Sequence, residues 1–202
     1  MSSSNQLLPK GYKKVSRSST PPNDQYLIML RNKGHIAFKE LIQSISLEER
    51  DISVAEQHYN VVMNATGLDP NNQTDKWTPK MLWEYNAYKR ECKKMSAAKG
   101  QSAAAESAYD NSENASYETQ LSLRREHVTK LREWFEVALS VAQLRLDFLT
   151  DYPESYGGDA EGHLEQVRGA LNSTRNAYNK ILKFEQKERD NIAQEQSTSS
   201  GK

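Results

Sequence analysis

Cysteine is almost missing from this chain: Cys92 is the only one in 202 residues. No internal disulfide can form, and a lone thiol argues against a structural zinc site built on several cysteines. Long apolar runs are missing too. The most apolar stretch, Val137 to Leu149, is interrupted by Ser140, Gln143, Arg145 and Asp147, so no membrane insertion is expected. No apolar segment of the signal-peptide kind follows Met1, which predicts a cytoplasmic or nuclear protein rather than a secreted one. The N-x-Ser/Thr sequons at Asn64, Asn72, Asn114 and Asn172 then read as chance matches.

The signatures of catalysis are also lacking. There is no G-x-G-x-x-G, phosphate-binding loop, G-x-S-x-G or H-E-x-x-H. None of His35, His58, His127 and His163 has a glutamate three residues before it, so the Glu-x-x-His pairs of di-iron bundles are absent. Cys92 reads as a buried inert thiol despite Lys93 and Lys94 beside it. The expectation is a non-enzyme with no catalytic residue, no metal and no cofactor.

Net charge is zero, but the signs are unevenly spread. Lys and Arg predominate over residues 1–46 and 76–99, whereas acids predominate over 47–75 and 147–165. Such blocks suit pairing of opposite patches within a chain or between copies. Apolar content is 36%, low for a globular chain. The shortage is concentrated in residues 1–23 and 191–202, rich in Ser, Asn, Gln and Pro, which read as disordered tails.

Helical periodicity organises the remainder. Over 24–95 a short apolar segment, YLIML at 26–30, stops near Lys33-Gly34. A helix at 35–46 carries Ile36, Phe38, Leu41, Ile42 and Ile45 on one face. Ser46 with Glu49 resembles a capping box that opens a second helix at 47–65, ended by Gly67. Thr78 and Pro79 then suit the N-cap and first position of a helix at 78–95. Its stripe is Met81, Tyr85, Tyr88, Cys92 and Met95, and its other face is basic.

Residues 96–116, dominated by Ser, Ala, Asn and Gly, read as a flexible low-complexity linker. Beyond it, helices at 117–150 and 160–189 are separated by Pro153 and Gly157-Gly158, the spacing of an antiparallel hairpin over 117–190. The predicted fold is all-α: a bundle of four to five helices with coiled-coil-like packing.

Two readings of function follow. The first is a helical assembly or scaffold protein that contacts a protein partner or its own copies. Its interface would be the hairpin stripe, Leu121, Val128, Leu131, Phe135, Leu139, Leu146, Leu164, Leu171 and Tyr178. The alternative is a nucleic-acid-associated structural protein, a helical coat or nucleocapsid-type subunit bound to RNA or DNA. Lys10, Lys13, Lys14 and Arg17 of the tail, with Lys89, Arg90, Lys93 and Lys94 of the basic helix, would touch phosphates. A third basic group, Arg124, Arg125, Lys130 and Arg132, opens the long helix. Trp77, Trp83 and Trp134 are assigned to core or interface rather than to base stacking. The Ser/Thr-rich stretch Ser16 to Pro22 offers hydroxyls beside Arg17, whose phosphorylation would reverse the local charge.

Overall fold

A computed structural model describes residues 22–65, 78–153 and 160–200. Within them the chain forms α1 (Pro22–Ala65), α2 (Pro79–Asp110), α3 (Tyr117–Asp151) and α4 (Ala160–Ser200). No strand occurs among the described residues, so the all-α expectation holds.

Two helix starts follow from their caps. Thr78 is extended at its backbone, and its Oγ1 accepts from the Met81 N–H at 3.2 Å, with Pro79 at the first helical position. Ser116 does the same for the Thr119 N–H at 3.2 Å. Each hydroxyl replaces an intrahelical acceptor that the first turn lacks.

Three boundaries differ from expectation. First, α1 is one unbroken helix of 44 residues, running through both Lys33-Gly34 and Ser46. The Ser46 hydroxyl does not cap; it donates back to the Gln43 carbonyl at 2.8 Å, as Ser44 does to Leu41 at 2.9 Å. A hydroxyl bonded to its own preceding turn is compatible with a continuing helix. Gly34 is no stop either. A Cβ there would lie 3.1 Å from Arg124 Nη2, so the glycine leaves room for a side chain crossing from α3.

Second, residues 96–110 are not a linker but the second half of α2. Their alanines favour helix, and the small Ser102 and Ala105 are buried against the neighbouring helices. Only Asn111–Ser116 connects α2 to α3. Third, α4 continues past Arg189 to Ser200, with Ile192 and Glu195 buried. Residues 191–200 are therefore helix rather than the disordered tail expected from residue 191. The tail at 1–21, the end of the helix signal at Gly67, and the turn at 154–159 lie outside the described residues.

Contacts fix the topology as up-down-up-down. Tyr88 meets Arg145 and Tyr85 meets Phe148, so α2 and α3 are antiparallel. Arg124 meets Glu188 and Tyr117 meets Glu195, which makes α3 and α4 the expected antiparallel hairpin. Asn191 meets Leu30 and Lys180 meets Ser44, so α4 and α1 are antiparallel as well. Close helix neighbours are α2 with α3, α3 with α4, and α4 with α1. The remaining seam, between α1 and α2, is wider and closed by side chains such as Phe38 and Tyr109, whose ring centroids lie 5.0 Å apart.

The core runs along the bundle axis through Phe38, Leu41, Ile45, Tyr85, Val128, Leu131, Phe135, Val141, Phe148, Leu149 and Ile181. Phe135 and Ile181 are fully enclosed. Ile36, expected on the inner stripe of α1, is instead 43% exposed. Its offset of two residues from Phe38 turns it by roughly 200° around the helix.

Candidate functional site

The hairpin stripe turns toward the rest of the bundle. Val128, Leu131, Phe135 and Leu171 are buried among the chain's own helices, and Leu121, Leu139, Leu146, Leu164 and Tyr178 are half-buried. The bundle has used this stripe internally. A contact between molecules would need a surface that the bundle leaves uncovered.

Helix lengths supply one. At a rise of about 1.5 Å per residue, α1 and α4 extend about 66 and 62 Å, against about 48 and 53 Å for α2 and α3. Arg31 lies level with the first turn of α3: its guanidinium sits 4.0 Å over the Tyr117 ring and 3.7 Å from Glu118. Everything before Arg31 in α1 therefore projects beyond α3, beside the last turns of α4. Asn191 Nδ2 donates to the Leu30 carbonyl at 3.1 Å to tie the two projecting ends together.

Leu30 and Ile192 are buried in this overhang, but two helices cannot cover a third and fourth side. Tyr26, Ile28 and Met29 stand 42%, 42% and 51% exposed there, with Ile36 just behind. Sequence reading saw the YLIML segment but not its exposure. The signal was present: five successive apolar residues exceed what one helix face can bury, so some must point outward.

Behind the overhang lies a buried polar network. Arg124 Nε and Nη2 both reach Glu188 Oε1 at 2.6 Å, and both side chains are enclosed. Tyr117 Oη donates to the two Glu195 oxygens at 3.0 and 3.1 Å. Burial, reinforced by that carboxylate, pushes the Tyr117 phenol up to about 12. Arg124, of the third basic group, is thus spent inside the fold, whereas Arg132 of the same group is half-buried and donates from Nη1 to Glu185 at 3.2 Å.

A cleft of about 250 Å³ opens at the α1–α2 seam, lined among others by Glu49, Lys99, Glu106, His127, Leu131 and Trp134. Burial pushes the His127 imidazole below its ordinary range, while burial and then Glu106 push the Glu49 carboxyl up. His127 Nδ1 and Trp134 Nε1 are sealed from solvent without a hydrogen-bond partner. Lys99 Nζ lies 5.3 Å over the Trp134 ring. These nitrogens lie within the cleft wall, not on its surface.

Among the described residues no set of three His, Cys, Asp or Glu side chains is gathered to hold a metal ion. His35 shares a 3.0 Å hydrogen bond with Tyr109 Oη, and Cys92 is a half-buried free thiol. His58 is among the residues whose side chains are not described. No described helix is long and apolar enough to cross a membrane.

The basic residues divide. Lys10, Lys13, Lys14 and Arg17 lie outside the described residues, as does Trp77. Lys89, Arg90, Lys93 and Lys94 are exposed along α2. Trp134 is enclosed as expected, whereas Trp83, also assigned to core or interface, is 67% exposed. Comparison of the chain with protein-family models, curated proteins and solved structures finds no match.

Proposed function

We propose that this chain is a non-enzymatic helical assembly protein, and that a second copy covers the overhang of α1 and α4. The observation that carries this reading is the exposed group Tyr26, Ile28 and Met29 on the projecting end of α1, with exposed Ile36 two turns beyond Met29, on a helix otherwise packed into a core. Two antiparallel helices form an incomplete bundle, and two more from an identical copy complete it with twofold symmetry. Tyr and Met are residue types favoured at interface centres, and burying the exposed half of each such side chain yields on the order of 1 kcal/mol before association entropy is subtracted.

Asn32 and Lys33, exposed one turn after Met29, give the patch a polar border, the usual surround of an associating surface. Light scattering on a sizing column tests the reading. The full chain should elute as a dimer, and the double substitution Met29→Asp/Ile36→Asp should yield a monomer of unchanged helicity. A wild-type chain that is monomeric at every concentration would overturn the proposal.

A further inference from the structure

We propose that the outward face of α2 binds single-stranded nucleic acid, with Trp83 stacking on a base and Arg90, Lys93 and Lys94 holding phosphates. This goes beyond self-association and uses a different face of the molecule.

The geometry begins with register. The buried side of α2 is set by Met81, Tyr85, Tyr88 and Met95. Trp83 falls two residues out of step with Met81, which turns it roughly 200° away from the core. Ala87, Arg90 and Lys94 follow Trp83 at intervals of four, three and four residues, so all four share one outward stripe. Lys93 lies along one side of it, and Lys89 farther round, with its Nζ 5.4 Å over the Tyr85 ring. An indole this large, left 67% exposed on the face of a packed helix, adds little burial to the fold.

The charge around it has one sign. From Lys80 to Lys99 the helix carries six cations and only Glu84 and Glu91 as acids. Those two pair with Lys80 at 3.6 Å and Lys94 at 2.6 Å within the same helix. Such exposed pairs contribute little and give way to a phosphate. Among the described residues Arg90 and Lys93 have no carboxylate within ion-pair distance. Mobile cations beside an exposed aromatic ring are what unpaired nucleic acid needs: the cations track the backbone and the ring takes any base.

Other polyanions fit less well. A helix that lies on a bilayer inserts a continuous apolar face, and here the apolar face of α2 is buried in the bundle, leaving a single large apolar side chain outside. A protein interface centre is depleted of charge, whereas this stripe is basic. Duplex DNA offers phosphates but no unstacked base for the indole.

The experiment is fluorescence anisotropy of labelled oligothymidylate and oligouridylate with the full chain, set beside a duplex of equal length and phosphatidylserine vesicles. Binding of the single strands, tighter than the duplex, is expected, with affinity falling steeply as salt rises. Trp83→Ala should weaken it about tenfold, the loss of one stacked base, while Trp83→Phe keeps most of it. Arg90→Gln and Lys94→Gln should each lower the slope of log affinity against log salt by about 0.7 on the single strands. Helicity should be unchanged in every variant because these side chains are exposed. The proposal is overturned if Trp83→Ala binds like wild type, if duplex is preferred, or if vesicles bind and oligonucleotides do not. Oligomeric state, read separately, shows whether self-association survives either outcome.

Discussion

The two ends of the bundle are held by different physics. Around Phe135, Tyr85, Phe148 and Leu149 the interior is aromatic and aliphatic, with Tyr85 and Phe148 rings 6.1 Å apart and Trp134 and Phe135 rings 4.6 Å apart. Toward the overhang the same helices meet through Arg124–Glu188, Tyr117–Glu195 and Asn191 with Leu30. At the apolar end the buried charge, Arg145, donates to Tyr88 Oη at 2.7 Å, and the rest of the packing tolerates substitution within limits of volume. The polar end fixes the level at which α1, α3 and α4 meet, because a shift by one turn would leave a buried charge unpaired. That level decides how far α1 and α4 project, and so which apolar residues remain outside.

Breaking the apolar end should have the largest effect. Phe135→Ala is expected to cost about 3–5 kcal/mol, and Phe135→Asp more, since it places an unpaired charge where nothing is exposed. Urea unfolding followed by circular dichroism measures both; a Phe135→Asp variant that melts like wild type would refute the assigned core. At the polar end Arg124→Leu strands Glu188 and should cost about 3–5 kcal/mol, but Arg124→Leu/Glu188→Leu should recover most of that loss. A double variant no better than the single one would show that packing, not charge, dominates there.

A smaller effect separates helix from linker in α2. Ala104 is exposed, so Ala104→Gly changes propensity and little else. In a helix it should cost about 1 kcal/mol, whereas in a flexible linker it would cost nothing, and thermal melting distinguishes the two. The subtlest prediction concerns alkali. The folded Tyr117 phenol titrates at about 12, above its ordinary value of 10.0. The folded chain thus keeps this proton where the unfolded chain loses it. Its contribution to stability is full below pH 10.0 and is lost as pH climbs toward about 12. Tyr117→Phe should flatten that part of the stability curve, and an unaltered curve would contradict the burial assigned to this phenol.

Much of the architecture was readable from residue order, and the reasons are local. Thr78-Pro79 announces a helix start because both residues satisfy first-turn requirements without help from elsewhere. The 117–150 and 160–189 stripes recur at helical spacing over many turns, which leaves little choice of structure. Ser46-Glu49 misled because a capping box and a hydroxyl bonded to its own preceding turn use the same residues, and only α1's packing on α4 selects between them. Residues 96–110 misled for another reason. Low complexity suggests absence of structure, yet small residues such as Ser102 and Ala105 are buried in the bundle. Register alone would have turned Trp83 outward, two places off the Met81–Tyr85 stripe. The overhang needed tertiary information: no local pattern tells that α3 begins level with Arg31.

Distance between copies tests the central claim most directly. With Met29→Cys on a Cys92→Ser background, a spin label at residue 29 reports on the overhang of each chain. If the overhangs complete one another, dipolar spectroscopy of the full chain should show one narrow distance between copies, about 10–20 Å, one or two helix-packing spacings. No coupling between copies, at concentrations well above those of the sizing column, would contradict the account.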